Sequence, residues 1–134
     1  MTDYTQLIEK AIEARERSYS PYSNFKVGAS LLCNNGKIYT GCNVENSAYS
    51  ECICAERVAL SKAVSEGECE FLAMAVVGGK SEIVDFVYPC GACRQFLSEL
   101  CPPKMEIILY NGKDTKSEAL DGLLPCSFSK SNIK

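Results

Sequence analysis

The 134 residues carry 14 Lys and Arg against 17 Asp and Glu, a formal net charge of −3, so the chain as a whole attracts neither nucleic-acid backbones nor anionic membranes. One domain over residues 1–134, burying roughly two-thirds of its unfolded surface, suits that length. No apolar run approaches the ~18 residues of a membrane span, Met1-Thr2-Asp3-Tyr4 opens no signal sequence, and nine cysteines without secretory features point to a reduced, cytoplasmic setting.

In chain order, Tyr4, Leu7, Ile8, Ala11 and Ile12 recur at helical spacing behind Asp3 as a cap and predict a helix over residues 3–17. Ser20-Pro21-Tyr22-Ser23-Asn24 breaks it. Residues 26–33 and 37–43 are strand-like runs around Asn34-Asn35-Gly36 and predict a hairpin. The alanine-rich stretch from Cys54 to Val64, with Val58, Ala59 and Ala63 on one side, suits a buried helix. Phe71 to Val77 is continuously apolar, as in a strand covered on both faces. Pro89 restarts the chain as a helix to about Leu100, with proline early, where its missing N–H costs little. Ile107 to Tyr110, ending in Asn111-Gly112, is a further strand. Helices alternating with buried strands predict a three-layer α/β/α sandwich on a mixed sheet.

The chemistry lies at two of those helix starts. The chain has no histidine, so a catalytic zinc, which takes three protein ligands and keeps one position open, would need thiolates. Cys54 at one helix head, and Cys90 and Cys93 three apart on the first turn of another, supply them. Three thiolates leave a net −1 on the centre, which two positive helix ends and the guanidinium of Arg57 or Arg94 can offset. A single C-x-x-C alone reads equally as a structural or redox site. Glu56, two residues after Cys54, tips the reading, because a carboxylate beside an activated water can carry protons, although a first-turn glutamate also complements a helix dipole. Cys33, Cys42, Cys69, Cys101 and Cys126 read as small buried hydrophobes; Cys52 stands close enough in sequence to compete for metal.

Cys54-Ala55-Glu56 and Pro89-Cys90-Gly91-Ala92-Cys93 resemble the zinc deaminase pattern of a His or Cys, one residue, a non-ligating Glu, and then P-C-x-x-C. Phe25 to Ala29, Gly41 to Asn46, Cys93-Arg94-Gln95, and Leu123-Leu124-Pro125 with Phe128 extend the resemblance. Together they look like the small, three-cysteine cytidine deaminases. That likeness implies a mixed five-stranded sheet, one Zn²⁺ per chain, a homotetramer with shared active sites, and free nucleoside substrates with neither nucleic acid nor membrane as partner.

Residue by residue, the resemblance implies that Cys54, Cys90 and Cys93 hold the metal. Glu56 passes a proton to cytosine N3 and then to the departing amine as water adds at C4, giving uridine and ammonia. Asn43 and Glu45 match the pair that hydrogen-bonds ribose hydroxyls. Phe25 matches the aromatic packed on the pyrimidine, and Ala55 the residue whose backbone meets the base. Arg57 matches the position that offsets thiolate charge, and Phe128 an aromatic that reaches a neighbouring subunit's site. Tyr88 departs from relatives that carry a smaller residue before the Pro-Cys pair. Two rival readings are a blasticidin-type deaminase of a modified nucleoside, against which Asn43 and Glu45 argue, and a non-enzymatic zinc module closed by Cys52 or Cys101 as fourth ligand.

Overall fold

The hairpin forms where the turn signal places it. In the computed structural model, which describes residues 3–133, β1 (Lys26–Cys33) and β2 (Ile38–Cys42) pair antiparallel from Gly28 opposite Cys42 to Leu32 opposite Ile38. Gly36 takes the positive φ of 90° that the turn requires. β1 also pairs antiparallel with β3 (Phe71–Gly79). β3 runs parallel to β4 (Glu106–Tyr110), and β4 turns back on β5 (Thr115–Ala119). The result is a mixed five-stranded sheet in the order β2-β1-β3-β4-β5.

Helices cover both faces of it. On one side α1 (Thr5–Arg15) places Leu7 and Ala11 against Ala73, Ala75, Val77 and Ile108. On the other, α2 (Ala55–Ser65) and α3 (Gly91–Leu100) bury Ala55, Ala59, Leu60, Ala63 and Leu97 against Leu31, Met74, Val76, Ile107 and Leu109. Central β3 therefore alternates between two cores, which is why its sequence is apolar throughout. A short α4 (Leu120–Leu123) follows β5.

Two glycines set how closely the helices approach. A Cβ on Gly28 would fall 2.0 Å from the Ala11 carbonyl oxygen, and one on Gly41 would fall 2.5 Å from Ala55 O and 2.6 Å from Ala59 N. Backbone stands against backbone at both places, so no side chain fits without moving a helix, at a cost of roughly 1–3 kcal/mol. Gly41 matters for function because the turn it seats carries Glu56.

Several boundaries differ from the sequence expectation. The first helix occupies Thr5–Arg15 instead of residues 3–17, and Asp3 serves from outside it: its carboxylate accepts the Thr5 N–H at 2.9 Å and the Thr5 hydroxyl. α3 starts at Gly91 with Cys90 as its N-cap, so Pro89 precedes the helix; there it is fully buried. Strand β5, with the polar sequence TKSEA, forms although no apolar alternation marks it. Among the cysteines expected in the core, Cys33 and Cys101 are buried, Cys42 is half-buried, and Cys69 and Cys126 are exposed.

Candidate metal and active site

Cys54 and Cys90 are the N-cap residues of α2 and α3, both with extended backbone, and Cys93 lies in the first turn of α3. The first amides of each helix fold back on the caps: Arg57 N and Val58 N donate to Cys54 O, and Arg94 N donates to Cys90 O. Two helix N-termini, with their positive ends, thus converge on one cluster of sulfurs. The three Sγ atoms lie within 4.8 Å of one another, and those of Cys54 and Cys90 stand 3.7 Å apart. Thiolates held tetrahedrally at ~2.3 Å from zinc would be about 3.8 Å apart, so the donor set fits that ion. Among the described residues no fourth Cys, Asp or Glu belongs to the group. Cys52 instead accepts the Asn46 N–H at 3.3 Å, and Cys101 lies in the core, where burial pushes its thiol up to about 12. Neither closes the open position.

Charge is managed locally. Arg57 Nη2 donates to Cys54 Sγ at 3.8 Å. The Cys54 thiol is brought down to about 5 by hydrogen bonds from Cys93 first and then Arg57, against the opposing effect of burial. The Cys93 thiol moves up for the matching reason, since it donates to the Cys54 thiolate and is buried. Arg94 takes no part: its Nε donates to Pro89 O at 2.7 Å and its Nη1 to Leu123 O at 2.8 Å, tying the head of α3 to the C-terminal segment.

Glu56 is 3% exposed and outside the sulfur group. Burial raises its carboxyl to about 7, the Cys54 charge adding to that rise and Arg57 opposing it. A carboxyl poised near neutrality is suited to proton transfer. Ala55, wholly buried, separates it from Cys54.

Of the residues matched to sugar and base, Asn43 and Glu45 flank Val44, which pairs with Ile53 next to Cys54, while Phe25 and Glu45 line two separate hollows. Asn43 Oδ1 accepts from the Ser18 hydroxyl and from Val27 N, while Nδ2 donates to Phe25 O at 2.8 Å, which leaves one amide hydrogen for a ligand. The Glu45 carboxylate, on a half-buried residue, accepts the Tyr22 and Ser23 amides at 3.1 and 3.2 Å together with the Ser23 hydroxyl; that hydroxyl foremost holds it below the usual carboxylate range. Glu45, Tyr22, Ser23, Tyr49 and Cys52 line a hollow of about 320 Å³. Phe25 follows Asn24, whose φ of 57° turns the chain, and lines a second hollow of about 400 Å³ with Gly78, Lys80, Val84 and Val87. Phe128 is 62% exposed, with its carbonyl held by Gln95 Nε2 at 3.0 Å.

Sequence reasoning did not find Ser18, Ser23, Tyr22 or Tyr49. The turn signal at residues 20–24 marked the place of Tyr22 and Ser23 without indicating a role. No local signal pointed to Tyr49, whose ring meets that of Tyr22 edge to face at 5.8 Å.

Known proteins share this sequence pattern and fold. Residues 1–109 match the family described as the cytidine and deoxycytidylate deaminase zinc-binding region. A cytidine deaminase of Sporosarcina psychrophila is 48% identical over 132 residues, covering 98% of this chain and 95% of its own length. One from Halalkalibacterium halodurans is 44% identical, with 98% of each chain covered. Among solved structures, the cytidine deaminase of Burkholderia pseudomallei superposes with a TM-score of 0.87 at 48% identity, over 95% of this chain and 100% of the other. This chain, with its cluster of three cysteines and its mixed sheet, belongs to the cytidine and deoxycytidylate deaminase family, whose zinc-binding region it carries.

Proposed function

We infer that this chain catalyses the hydrolytic deamination of cytidine and deoxycytidine to uridine and deoxyuridine, releasing ammonia, as one domain over residues 1–134. The observation that carries the reading is the buried Glu56 beside, and not within, a three-sulfur group at two helix heads. Cys54, Cys90 and Cys93 would hold zinc, and Arg57, which donates to Cys54 Sγ, would offset the thiolate excess. Zinc supplies the Lewis acidity that makes water a nucleophile at neutral pH. Glu56 takes up the proton that water gives and delivers it to N3 as C4 becomes tetrahedral, then takes the proton of the new C4 hydroxyl and hands it to the amine as the C–N bond breaks. Cytidine and water thereby become uridine and ammonia. Its raised carboxyl suits both directions of transfer.

Phe25 packs on the pyrimidine and the Ala55 backbone meets the base. Asn43 offers its remaining amide hydrogen, and Glu45 its ionised oxygens, to the ribose hydroxyls. That sugar pair favours a plain nucleoside over the enlarged substrate of a blasticidin-type enzyme. The active unit is a homotetramer with shared sites: Phe128 and Tyr49, exposed at 62% and 72% in one chain, are aromatics that a neighbour's site would cover. Nine cysteines, all of them unpaired, suit the reducing cytoplasm, and among the described residues no helix is long and apolar enough to cross a membrane.

Ammonia release from cytidine, deoxycytidine, cytosine and blasticidin S, measured side by side on the zinc-loaded protein, tests the reading. The two nucleosides should turn over well ahead of the others. Turnover of blasticidin S alone, or none at all, would overturn it.

A further inference from the structure

Of the three sulfur donors, Cys90 has the least support around it. Cys93 is buried within the first turn of α3, and Cys54 follows Ile53, whose backbone is paired with Val44. Cys90 is exposed and ends a stretch, residues 80–90, that has no regular secondary structure. A ligand on such a segment needs something else to hold it in place.

The segment is tied at Tyr88 and Pro89. The Tyr88 hydroxyl accepts from Lys116 Nζ at 2.8 Å, while the ring packs against the core beneath α2 and α3. Lys116 also pairs with Glu118 Oε2 at 3.3 Å and sits 5.9 Å from the centre of the Phe86 ring, within cation–π range. Its distance of 5.5 Å to the Tyr88 ring centre is that of a donor in line with the C–O bond, so this contact is the hydrogen bond and not a face-on one. Pro89 is fully buried and its carbonyl is held by Arg94. Lys116 itself stands on β5, in register with Leu109 of β4, which gives the tie a rigid anchor.

We propose that Lys116 and Tyr88 form a clamp that positions Cys90 for the metal, acting through the Tyr88-Pro89-Cys90 segment. Lys116 is thus a positioning residue on the far edge of the sheet, and Tyr88, next to the Pro89-Cys90 pair, is the chain's means of reaching it. The proposal rests on Cys90 being a zinc ligand.

Zinc release from the loaded protein into excess chelator tests it. Tyr88→Phe and Lys116→Met should each speed release about 10-fold, the low end for groups that support ligands from outside. The double variant should be no faster than either, since both break one bond. Lys116→Arg, which keeps a donor and a cation, should restore most of the slow release. Lys104→Met, which breaks the exposed pair of Lys104 with Asp121 at 2.9 Å, should release zinc at the wild-type rate.

Thermal midpoints of the metal-free proteins supply the second readout. A merely structural contact would lower these while leaving zinc release unmoved, and that result would overturn the clamp. So would fold-changes that multiply in the double variant. Tyr88→Phe keeps the ring in the core and carries the test alone if Lys116→Met fails to fold. Wild-type protein that takes up no zinc would instead refute the metal reading beneath the proposal.

Discussion

Val44 and Ile53 exchange both backbone hydrogen bonds, Val44 N to Ile53 O at 3.0 Å and Ile53 N to Val44 O at 2.9 Å. The pair stands outside the five strands, yet it joins the two halves of the site. Asn43 and Glu45 flank Val44, and Cys54 follows Ile53, so one bridge sets Asn43 and Glu45 beside the head of α2. On the other side Tyr19 N donates to Asn43 O and Glu45 N to Tyr19 O, which locks the same residues to the loop that carries Ser23 and Phe25.

The ligand set predicts how metal content responds to cysteine removal. Cys54→Ala, Cys90→Ala and Cys93→Ala should each lose zinc, from one ion per chain to little or none. Cys52→Ala should keep it, because that sulfur faces Asn46 and lies outside the cluster. Metal analysis of the purified variants decides the point; a zinc-free Cys52→Ala beside a zinc-replete Cys54→Ala would reverse the assignment.

For Glu56, replacement by Gln should leave zinc bound and the fold intact while lowering cytidine turnover by at least the roughly 10²–10⁴-fold typical of proton-transfer groups. A second consequence concerns the metal-free protein. Burial raises the carboxyl from 4.5 to about 7, so the folded form binds the proton more tightly than the unfolded form. Stability from this group is full below pH 4.5 and is lost as pH rises to about 7. Denaturant unfolding of metal-free Glu56→Gln should lack that decline and gain on wild type by up to ~3 kcal/mol at pH 8. Parallel stability curves for the two proteins would show that Glu56 ionises normally.

Much of this site was legible because its signals are local. Cys54-Ala55-Glu56 and Pro89 to Cys93 are short, and the helix that each one opens is decided within a turn. The hairpin followed from Asn35-Gly36, and β3 from an apolar run that needs two cores. What stayed hidden depends on distant partners. β5 has no apolar face, and Thr115 to Ala119 become a strand only because β4 offers them its free edge. Ser18 and Ser23 gain their roles from Asn43 and Glu45, more than twenty residues away. Arg94, read as a charge partner for sulfur, is held by the carbonyls of Pro89 and Leu123, neither of which its neighbours in sequence reveal.

Glu45 holds its loop as well as having the sugar role proposed for it, so two variants are needed to separate these duties. Glu45→Ala should weaken cytidine use by roughly 5- to 150-fold, the equivalent of 1–3 kcal/mol for an unmet polar partner, while leaving the poor use of free cytosine unchanged. Ser23→Ala removes one support of the carboxylate without removing its oxygens and should cost less. Equal losses on nucleoside and free base in Glu45→Ala would assign the residue to loop structure alone.

Assembly and catalysis meet at Phe128. Its carbonyl is fastened to α3 by Gln95, yet its ring stands in solvent in one chain, an arrangement that aims the side chain outward from a fixed point. If that ring completes a neighbour's site, Phe128→Ala and Glu56→Gln are each nearly inactive as homo-oligomers, for defects in different chains. Mixed in equal amounts under conditions that exchange subunits, they form some sites with Glu56 from one parent and Phe128 from the other. Random closed assembly makes that fraction one half times one half, so about a quarter of sites should regain activity. Native mass spectrometry of differently tagged parents confirms the exchange, and cytidine turnover reads the recovery. Verified exchange without recovery would place Phe128 in the service of its own chain, and a monomer in sedimentation that deaminates cytidine at the full rate would reject the shared site.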